Sequence, residues 1–381
     1  MSGSEEYKNL KMIEPAFDSQ VTDLILELNN LKRRRLGGST HPNVFFQLKD
    51  IFHTLESIGS ARIEGNNTTL AEYIETKIKA PETIPQGIRE ILNMEKAMGF
   101  IDENVREGNI DRAFISELHK MVVLNLEPPP TGEGDRTPGV FRVIPIRINK
   151  SEHVPPEPLF VNDHMEEFFA FVNQSFPEKY DLLKVAIAHH RFAWIHPFTN
   201  GNGRSVRLLT YAMLVKMGFR IDVGHIVNPT AVFCFDRDAY YRNLSAADSG
   251  SEEGLMEWCR YVLSGLKNEI EKIDRLLDYN YLSEHILLPT IRYSRERKFI
   301  NEIEAKILTA CIGEQVLRAG RLKAVFPKKK PSEISRQIRR LIEKKMLQPT
   351  EKNKRKYVLR FGNNFLLRGV IEHLKGLGFC R

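Results

Sequence analysis

The chain has 381 residues, a formal net charge of +7, and the apolar, charged and aromatic fractions of a globular protein with room for two or three domains. It contains no run of about 20 apolar residues, so we predict no membrane span. We find no internal repeat and no low-complexity tract.

Residues 1–11 are polar and lack the apolar region of a secretory signal. The cysteines form no CxxC pair and are widely scattered: Cys234, Cys259, Cys311 and Cys380. We therefore predict a reduced, cytoplasmic setting without structural zinc.

The charge is unevenly distributed along the chain. Residues 291–381 carry 24 Lys and Arg against 8 Asp and Glu, whereas residues 1–290 carry 32 against 41. A basic segment following an acidic body predicts separate domains with different partners.

Most of the chain has the apolar spacing of α-helices. Thr69 with Glu72 predicts a capping box, and Gly218 predicts a helix end. The predicted helices cover residues 20–36, 43 onward, 69–78, 87–105, 111–124, 159–172, 180–194, 203–217, 236–247 and 252–283. A Pro- and Gly-rich break covers 127–138, and the Val, Ile and Phe of 140–148 predict a short hairpin.

The last part of the chain has a different pattern. Helices are predicted at 299–319 and 332–345, the second with Ser332 as its N-cap. A strand follows at 357–361. Helix, helix and paired strands at this length predict a winged helix.

The most informative segment runs from His196 to Arg207 and reads HPFTNGNGRSVR. A helix is predicted to end near Trp194 and another to begin at Gly203, so the segment is a tight loop between two helices. Gly201 and Gly203 allow positive φ angles and a close approach of backbone N–H groups to a ligand.

The start of the second helix has the features of an anion site. Its free N–H groups and dipole favour a negative charge, and Arg204 and Arg207 lie three residues apart beside them. Two guanidiniums over an amide nest suit a polyphosphate. His196, at the other end of the loop, could accept a proton from an incoming nucleophile.

Other interpretations of these residues stay open. Asn and Gly before a helix often form only a turn and cap, and a single histidine is often a core residue. Neither GxxxxGK[ST] nor GxGxxG fits the segment. A zinc site from His189, His190 and His196 lacks the HExxH or acidic spacing of such sites.

As a whole, the segment resembles the Fic signature HxFx[DE]GNGRxxR with one departure, and the resemblance extends over roughly residues 40–260. Proteins of this family typically transfer AMP from ATP to a hydroxyl side chain of a target protein. The resemblance implies a mostly α fold: a Fic-type helical bundle with a β-hairpin flap, followed here by a C-terminal winged-helix domain.

The resemblance also implies roles for the loop residues. His196 would be the general base, and Phe198 would pack in the core and fix the loop. The nucleotide would be bound by an anion hole from Gly201, Asn202 and Gly203, with the β- and γ-phosphates on Arg204 and Arg207.

Asn200 is the departure, because the family usually has Asp or Glu there to hold Mg²⁺. A neutral amide oxygen is a poorer ligand for a hard cation, so Mg²⁺ would arrive mainly on the ATP phosphates. Weakened adenylylation, a changed transfer reaction, and nucleotide binding without catalysis are the alternatives. The phosphate-transferring Doc branch replaces the glycines that match Gly201 and Gly203. This chain keeps both, which favours nucleotidyl transfer.

Two flanking segments resemble parts of the family. Residues 138–148 resemble the flap that docks an extended segment of the target by edge-strand pairing, with an ordinary surface hairpin as the alternative. Tyr240 and Tyr241 lie in a segment that resembles the lining of the adenine pocket, although a helical tyrosine pair is also typical of packing.

Residues 60–66, SARIEGN, resemble the family's inhibitory motif [ST]xxxE[GN]. A carboxylate near the second arginine would pair with it and repel a γ-phosphate. Glu64 would therefore hold Arg207 and block productive ATP binding. The alternative is a helix end with a Glu before a Gly-Asn stop.

We predict an N-terminal helical region with the inhibitory motif (1–105), a Fic catalytic core (106–285) and a winged-helix domain (286–381). The predicted function is auto-inhibited protein adenylylation. The alternatives are removal of AMP from a modified target, and a DNA-binding regulator whose weakened core senses nucleotide. Residues 332–361 would bind DNA or a protein, or form a solvated basic surface. A homodimer is a family-based expectation.

Overall fold

The computed structural model describes residues 10–33, 39–148, 151–219, 229–350, 353–362 and 364–379. Cys380, the predicted helix end at 34–36 and positions 351–352 of the predicted basic surface lie outside them. These ranges contain three β-strands, one π-helical turn and the following α-helices: α1 (Gln20–Arg33), α2 (Pro42–Ile63), α3 (Leu70–Lys79), α4 (Gln86–Asn104), α5 (Arg112–Val123), α6 (Val161–Asn173), α7 (Asp181–Ile195), α8 (Asn202–Lys216), α9 (Pro229–Phe235), α10 (Arg237–Ala246), α11 (Glu252–Asp274), α12 (Tyr279–Leu282), α13 (Leu288–Glu296), α14 (Glu302–Glu314), α15 (Leu322–Val325), α16 (Pro331–Glu343) and α17 (Leu366–Gly376). The predicted, mostly α fold is confirmed. No helix among the described residues is long and apolar enough to cross a membrane.

The first of two compact units comprises Met1–Arg35, His53–Thr68 and Thr83–Ile270. Its centre is the pair α7 and α8, each with 13 of its 15 residues buried. A helix that is buried on all sides needs partners on all sides, and α4, α5, α6 and α9 supply them. This packing fixes both helices that flank the loop from His196 to Gly201.

Several predicted helix starts are confirmed by their caps. The Thr69 hydroxyl accepts from the Glu72 N–H while the Glu72 carboxylate accepts from the Thr69 N–H, a complete capping box. The Asp111 carboxylate accepts from the Phe114 N–H at the start of α5. Such caps satisfy N–H groups that would otherwise lack a partner in the first turn.

The predicted hairpin at 140–148 is wrong. These residues have no regular secondary structure and a bend at Ile144, and they form no strand pairing. The backbone N–H of Arg142 donates to the carbonyl of Pro197 instead, and Phe141 is buried in the core. Pro145 also lacks the N–H that a ladder needs. The segment is therefore fixed to the 196–201 loop rather than paired with itself.

The second compact unit comprises Leu36–Phe52, Thr69–Glu82 and Glu271–Arg381. Its sheet contains β1 (Val316–Arg318), β2 (Leu347–Thr350) and β3 (Asn353–Leu359), in the antiparallel order β1-β3-β2. Val316 pairs with Val358 and Leu347 with Leu359. The apolar residues Ile334, Ile338 and Leu341 face inward from α16.

Four other details of the sequence prediction need correction. The helix predicted to reach Ser283 ends at Asp274, where shorter helical pieces follow. The helix predicted at 299–319 stops at Glu314, because Gln315 adopts a positive φ and the next residues form β1. Helix α16 begins at Pro331, one residue before the predicted cap. The strand predicted at 357–361 is β3 and ends at Leu359.

Candidate active site

The loop between α7 and α8 is held by backbone geometry at both ends. His196 caps α7 in the left-handed region, with φ 51° and ψ 62°. Gly201 has φ 74° immediately before the first residue of α8. The N–H groups of the first turn of α8 have no partner within the helix, so the loop ends at a site that favours an anion.

The side chain of Asn202 closes the loop on itself. Its Oδ1 accepts from the Phe198 N–H over 2.9 Å and its Nδ2 donates to the Phe198 carbonyl over 2.8 Å. Phe198 is fully buried, as predicted. The Asn202 side chain therefore shapes the loop, and only its backbone N–H is available for the predicted anion hole.

Arg142 fixes the backbone of His196. Its Nε donates to the carbonyl of His196 over 2.8 Å, and its Nη2 donates to the carbonyls of Ile195 and Pro156. These carbonyls include the last ones of α7, where a cation is stabilised by the helix dipole. Arg142 is 3% exposed, so a residue predicted to lie on a surface flap is a buried support of the loop.

His196 is a neutral base. Its Nδ1–H donates to the carbonyl of Ala193 over 3.2 Å, which leaves Nε2 unprotonated and able to accept a proton. Burial lowers the pKa of His196 to about 4, although Glu64 acts in the opposite direction. The imidazole is therefore uncharged at neutral pH.

A pair that the sequence did not single out, His119 and Asp135, supports the middle of the loop. His119 Nδ1 accepts from the Gly139 N–H over 2.8 Å, so Nε2–H is the donor to the carbonyl of Asn200 over 3.0 Å. The His119 ring also stacks on Phe198, with 3.7 Å between ring centroids. Burial lowers the pKa of His119 to about 4.

Asp135 accepts four hydrogen bonds at this point. Its Oδ2 accepts from the Thr199 hydroxyl over 2.5 Å and from the Asn200 N–H over 3.1 Å. Its Oδ1 accepts from the N–H and hydroxyl of Thr137. Burial opposes the charge, but these hydrogen bonds and His119 lower the pKa of Asp135 below its ordinary value. Asp135 is thus an ionised carboxylate that holds the loop in place through hydrogen bonds.

Arg204 is fully buried and paired with two carboxylates. Its Nη1 lies 3.0 Å from Glu90 Oε1, and its Nη2 donates to the carbonyl of Glu133 over 2.7 Å and lies 3.3 Å from its carboxylate. Glu90 is itself buried and accepts from Asn66 Nδ2 over 2.6 Å. Nothing in the sequence pattern marks Glu90, because it lies in the middle of an amphipathic helix.

Arg207 is held by the segment predicted to inhibit it. Its Nε donates to the Ser60 hydroxyl over 2.7 Å and its Nη2 to Glu64 Oε1 over 2.6 Å. Burial opposes both charges, yet each partner favours the other: Glu64 raises the pKa of Arg207, and Arg207 with Arg204 lowers the pKa of Glu64. A β-carbon on Gly203 would collide with the Glu64 carboxylate. The carboxylate therefore lies at the start of α8.

The two tyrosines predicted near the base have different surroundings. Tyr240 is 3% exposed, and its hydroxyl bonds to His189 Nε2 over 3.0 Å. Its ring packs against Phe233 and Trp258. Tyr241 is 38% exposed, so of the two it is the ring with a surface available for stacking.

The residues around Asn200 offer little to a metal ion. Its Nδ2 donates to the carbonyl of Gly134 over 3.0 Å, so the side chain offers a metal ion only its neutral Oδ1. Asp135 is already saturated by four donors. Among the described residues, no group of three or more His, Cys, Asp or Glu could hold a metal ion. That Mg²⁺ arrives mainly on the ATP phosphates stays a prediction.

Comparison with known proteins shows what this part of the chain is similar to. Residues 109–214 match the model of the Fic/DOC family, and the chain therefore contains a Fic/DOC family domain. It is 30% identical over 198 residues to a protein named Protein adenylyltransferase Fic from Nematostella vectensis, a match that covers 50% of this chain and 42% of the relative. The chain thus spans less than half the length of this relative.

Two solved structures share the fold. A Fic family protein from Desulfovibrio desulfuricans G20 superposes with a TM-score of 0.55 at 18% identity, covering 93% of this chain and 98% of that one. A Fic domain containing signaling protein from Bacteroides thetaiotaomicron VPI-5482 has a TM-score of 0.52 at 16% identity, covering 68% and 97%. At these identities the likeness shows the fold alone.

Proposed function

We propose that this protein transfers AMP from ATP to a hydroxyl side chain of a target protein, and that Glu64 holds it in an inhibited state. The observation that carries the proposal is a neutral His196 at one end of a loop whose other end is a helix N-terminus beside Arg204 and Arg207. The match to the Fic/DOC family and a relative named for adenylyl transfer support it.

In the proposed reaction, the triphosphate of ATP binds at the start of α8. A phosphate oxygen there replaces the Glu64 carboxylate as the partner of Arg207. His196 Nε2 removes the proton from the target hydroxyl as its oxygen attacks the α-phosphorus. The bond from the α-phosphorus to the bridging oxygen breaks, and pyrophosphate leaves. AMP is esterified to the target, and His196 then releases the proton to solvent. Positioning and charge stabilisation supply most of the rate.

Magnesium, when bound with ATP, would neutralise phosphate charge, with Asn200 Oδ1 as its one protein ligand. The protein's own contribution to the loop is separate. Arg142 holds the His196 carbonyl and Asp135 holds the Thr199 hydroxyl and the Asn200 N–H. Together, Arg142 and Asp135 keep His196 and the anion site at a fixed separation.

Inhibition follows from the position of Glu64. Its carboxylate lies at the start of α8 and bonds to Arg207, so a γ-phosphate would meet a negative charge instead of a free guanidinium. Ser60 takes a second donor of the same arginine. Displacing Glu64 would free Arg207 for the phosphates.

Segment 138–148 is proposed as the place where the target docks. Val143 is 84% exposed and Ile144 is 54% exposed. A segment without strand pairing leaves backbone groups for an added strand. The target protein's apolar side chains would cover the exposed valine and isoleucine.

We also infer that residues 286–381 are a winged-helix domain. The order α14, β1, α15, α16, β2, β3 and the antiparallel sheet β1-β3-β2 support this inference. A basic surface on such a domain suits DNA or an acidic protein. The regulator alternative, a nucleotide-sensing core joined to a DNA-binding domain, rests on this segment and on Asn200.

The test is the intact mass of Glu64→Gly protein after incubation with ATP and Mg²⁺, beside wild type and Glu64→Gly/His196→Ala. A gain of one AMP unit in the Glu64→Gly protein alone supports transfer, His196 as the base and Glu64 as the inhibitor. If the protein binds ATP but neither it nor any protein of a cell extract gains mass, the DNA-binding regulator is favoured. If the wild-type protein releases AMP from an extract whose proteins already carry AMP, removal of AMP is the favoured function.

A further inference from the structure

Helix α16 (Pro331–Glu343) presents a cationic face to solvent. Its inward side is formed by Ile334, Ile338 and Leu341, and its outward side includes Arg336, Arg339 and Arg340, all exposed. Within the described part of the chain none of these three arginines forms an intramolecular ion pair. Their charge therefore has no partner inside this unit.

The residues next to this helix add positive charge. Lys328 and Lys330 are exposed just before it, and the Glu333 carboxylate is engaged by the backbone N–H of Lys330 over 3.1 Å. The helix contains two acidic residues, Glu333 and Glu343, and Glu333 caps its start. The local field favours an anionic partner.

The sheet of the same unit also brings two positive charges together. Arg318 on β1 stands directly opposite Lys356 on β3 in the antiparallel register. Like charges directly opposite each other destabilise such a pair. Negative charge on a polyanion bound to this unit would offset part of this cost.

We propose that the exposed face of α16 binds the phosphate backbone of double-stranded DNA. Helices carry this contact in winged helices by lying in the major groove, with arginines on the flanking phosphates. Arg336, Arg339 and Arg340 supply the phosphate contacts, while Ser332 and Ser335, exposed near the start of the helix, are placed for base edges. The inference rests on the winged helix proposed above.

The experiment measures anisotropy of a fluorescein-labelled, random-sequence 24-base-pair DNA duplex with the full chain, without ATP, from about 50 to 200 mM salt. Three phosphate contacts predict a slope of log affinity against log salt of about −3. Arg336→Gln/Arg340→Gln makes the slope shallower by about 2. The matched double variant Arg292→Gln/Lys375→Gln removes two exposed charges of the same unit from α13 and α17. It keeps the wild-type slope.

Three results would overturn the proposal: no binding by wild type at the lowest salt, equal weakening by both double variants, or tighter binding of an RNA duplex of the same length. Unchanged circular dichroism and Tm in both variants keep the comparison free of folding effects. Because the assay contains neither ATP nor a target protein, its failure is distinct from a failure of the proposed AMP transfer.

Discussion

The carboxylate of Glu64 accepts a hydrogen bond from Nη2 of Arg207 over 2.6 Å, although the two residues are 143 positions apart in the chain. The arginine is 1% exposed, so its charge is compensated inside the protein rather than by water. Under the proposed inhibition, this ion pair determines whether Arg207 is available to a phosphate.

Glu64→Gly is expected to raise AMP transfer strongly. A charge-assisted hydrogen bond contributes roughly 1.5–3 kcal/mol, which corresponds to an activation of about 10- to 150-fold. The measurement is the rate of labelled AMP incorporation. Glu72→Gly, which loses a carboxylate in the cap of α3, is the control and should keep the wild-type rate. Equal rates for wild type and Glu64→Gly would contradict the inhibitory role.

His196→Ala in the Glu64→Gly protein is expected to lower the rate by about 10²- to 10⁴-fold, the usual contribution of a general base. Because burial lowers the pKa of His196 to about 4, the base is unprotonated above that pH. The rate should be flat from about pH 5.5 to 8 and fall only as pH approaches 4, all the more since Glu64 no longer raises the pKa. An inflection near pH 6.5, the ordinary histidine value, would show that the base is solvated.

Asp135→Asn in the Glu64→Gly protein is expected to lower kcat by roughly 10- to 100-fold with a smaller change in KM for ATP, because a displaced loop misplaces the base. Asp111→Asn is the matched control, since asparagine still caps α5. Rescue of kcat by Asp135→Glu would support a bracing carboxylate. A change in KM alone would assign Asp135 to nucleotide binding instead.

The loop and the helices around it were predictable because their signals are local. Amphipathic spacing and caps define the helices, and the glycines and arginines lie within 12 consecutive residues. The supports of the loop were not predictable, because His119, Asp135 and Arg142 contact it from 54 to 81 residues away. The strand-like composition of 140–148 predicted a hairpin, yet the Pro197 carbonyl takes the N–H that a hairpin would use.

Asn200→Asp in the Glu64→Gly protein is expected to lower the Mg²⁺ concentration for half-maximal rate by at least about threefold, because a carboxylate is a stronger ligand for a hard cation. Chelation of Mg²⁺ should stop transfer in both proteins. Asn104→Asp, at the exposed end of α4, should leave the Mg²⁺ dependence unchanged. The same half-maximal concentration in all variants would remove position 200 from the metal site.

Glu56→Gln is expected to stabilise the protein at alkaline pH. Glu56 is 3% exposed and accepts from the Thr230 N–H over 2.7 Å, and burial raises its pKa to about 8. A folded-state pKa above the unfolded value means that stability is lost as pH rises from about 4.5 through 8. The Tm gain of the variant should be larger at pH 9 than at pH 5.5. An equal gain at both pH values would argue that Glu56 does not titrate there.

Because the backbone of His196 is left-handed, selection for stability and selection for AMP transfer favour different residues at position 196. Most side chains with a β-carbon cost about 1–2 kcal/mol in this region, whereas glycine has no β-carbon and asparagine adopts the region more readily than other residues. A library sorted only for folded protein would therefore enrich glycine or asparagine at position 196. A library sorted for AMP transfer would keep histidine, so the most active molecules would not be the most stable ones.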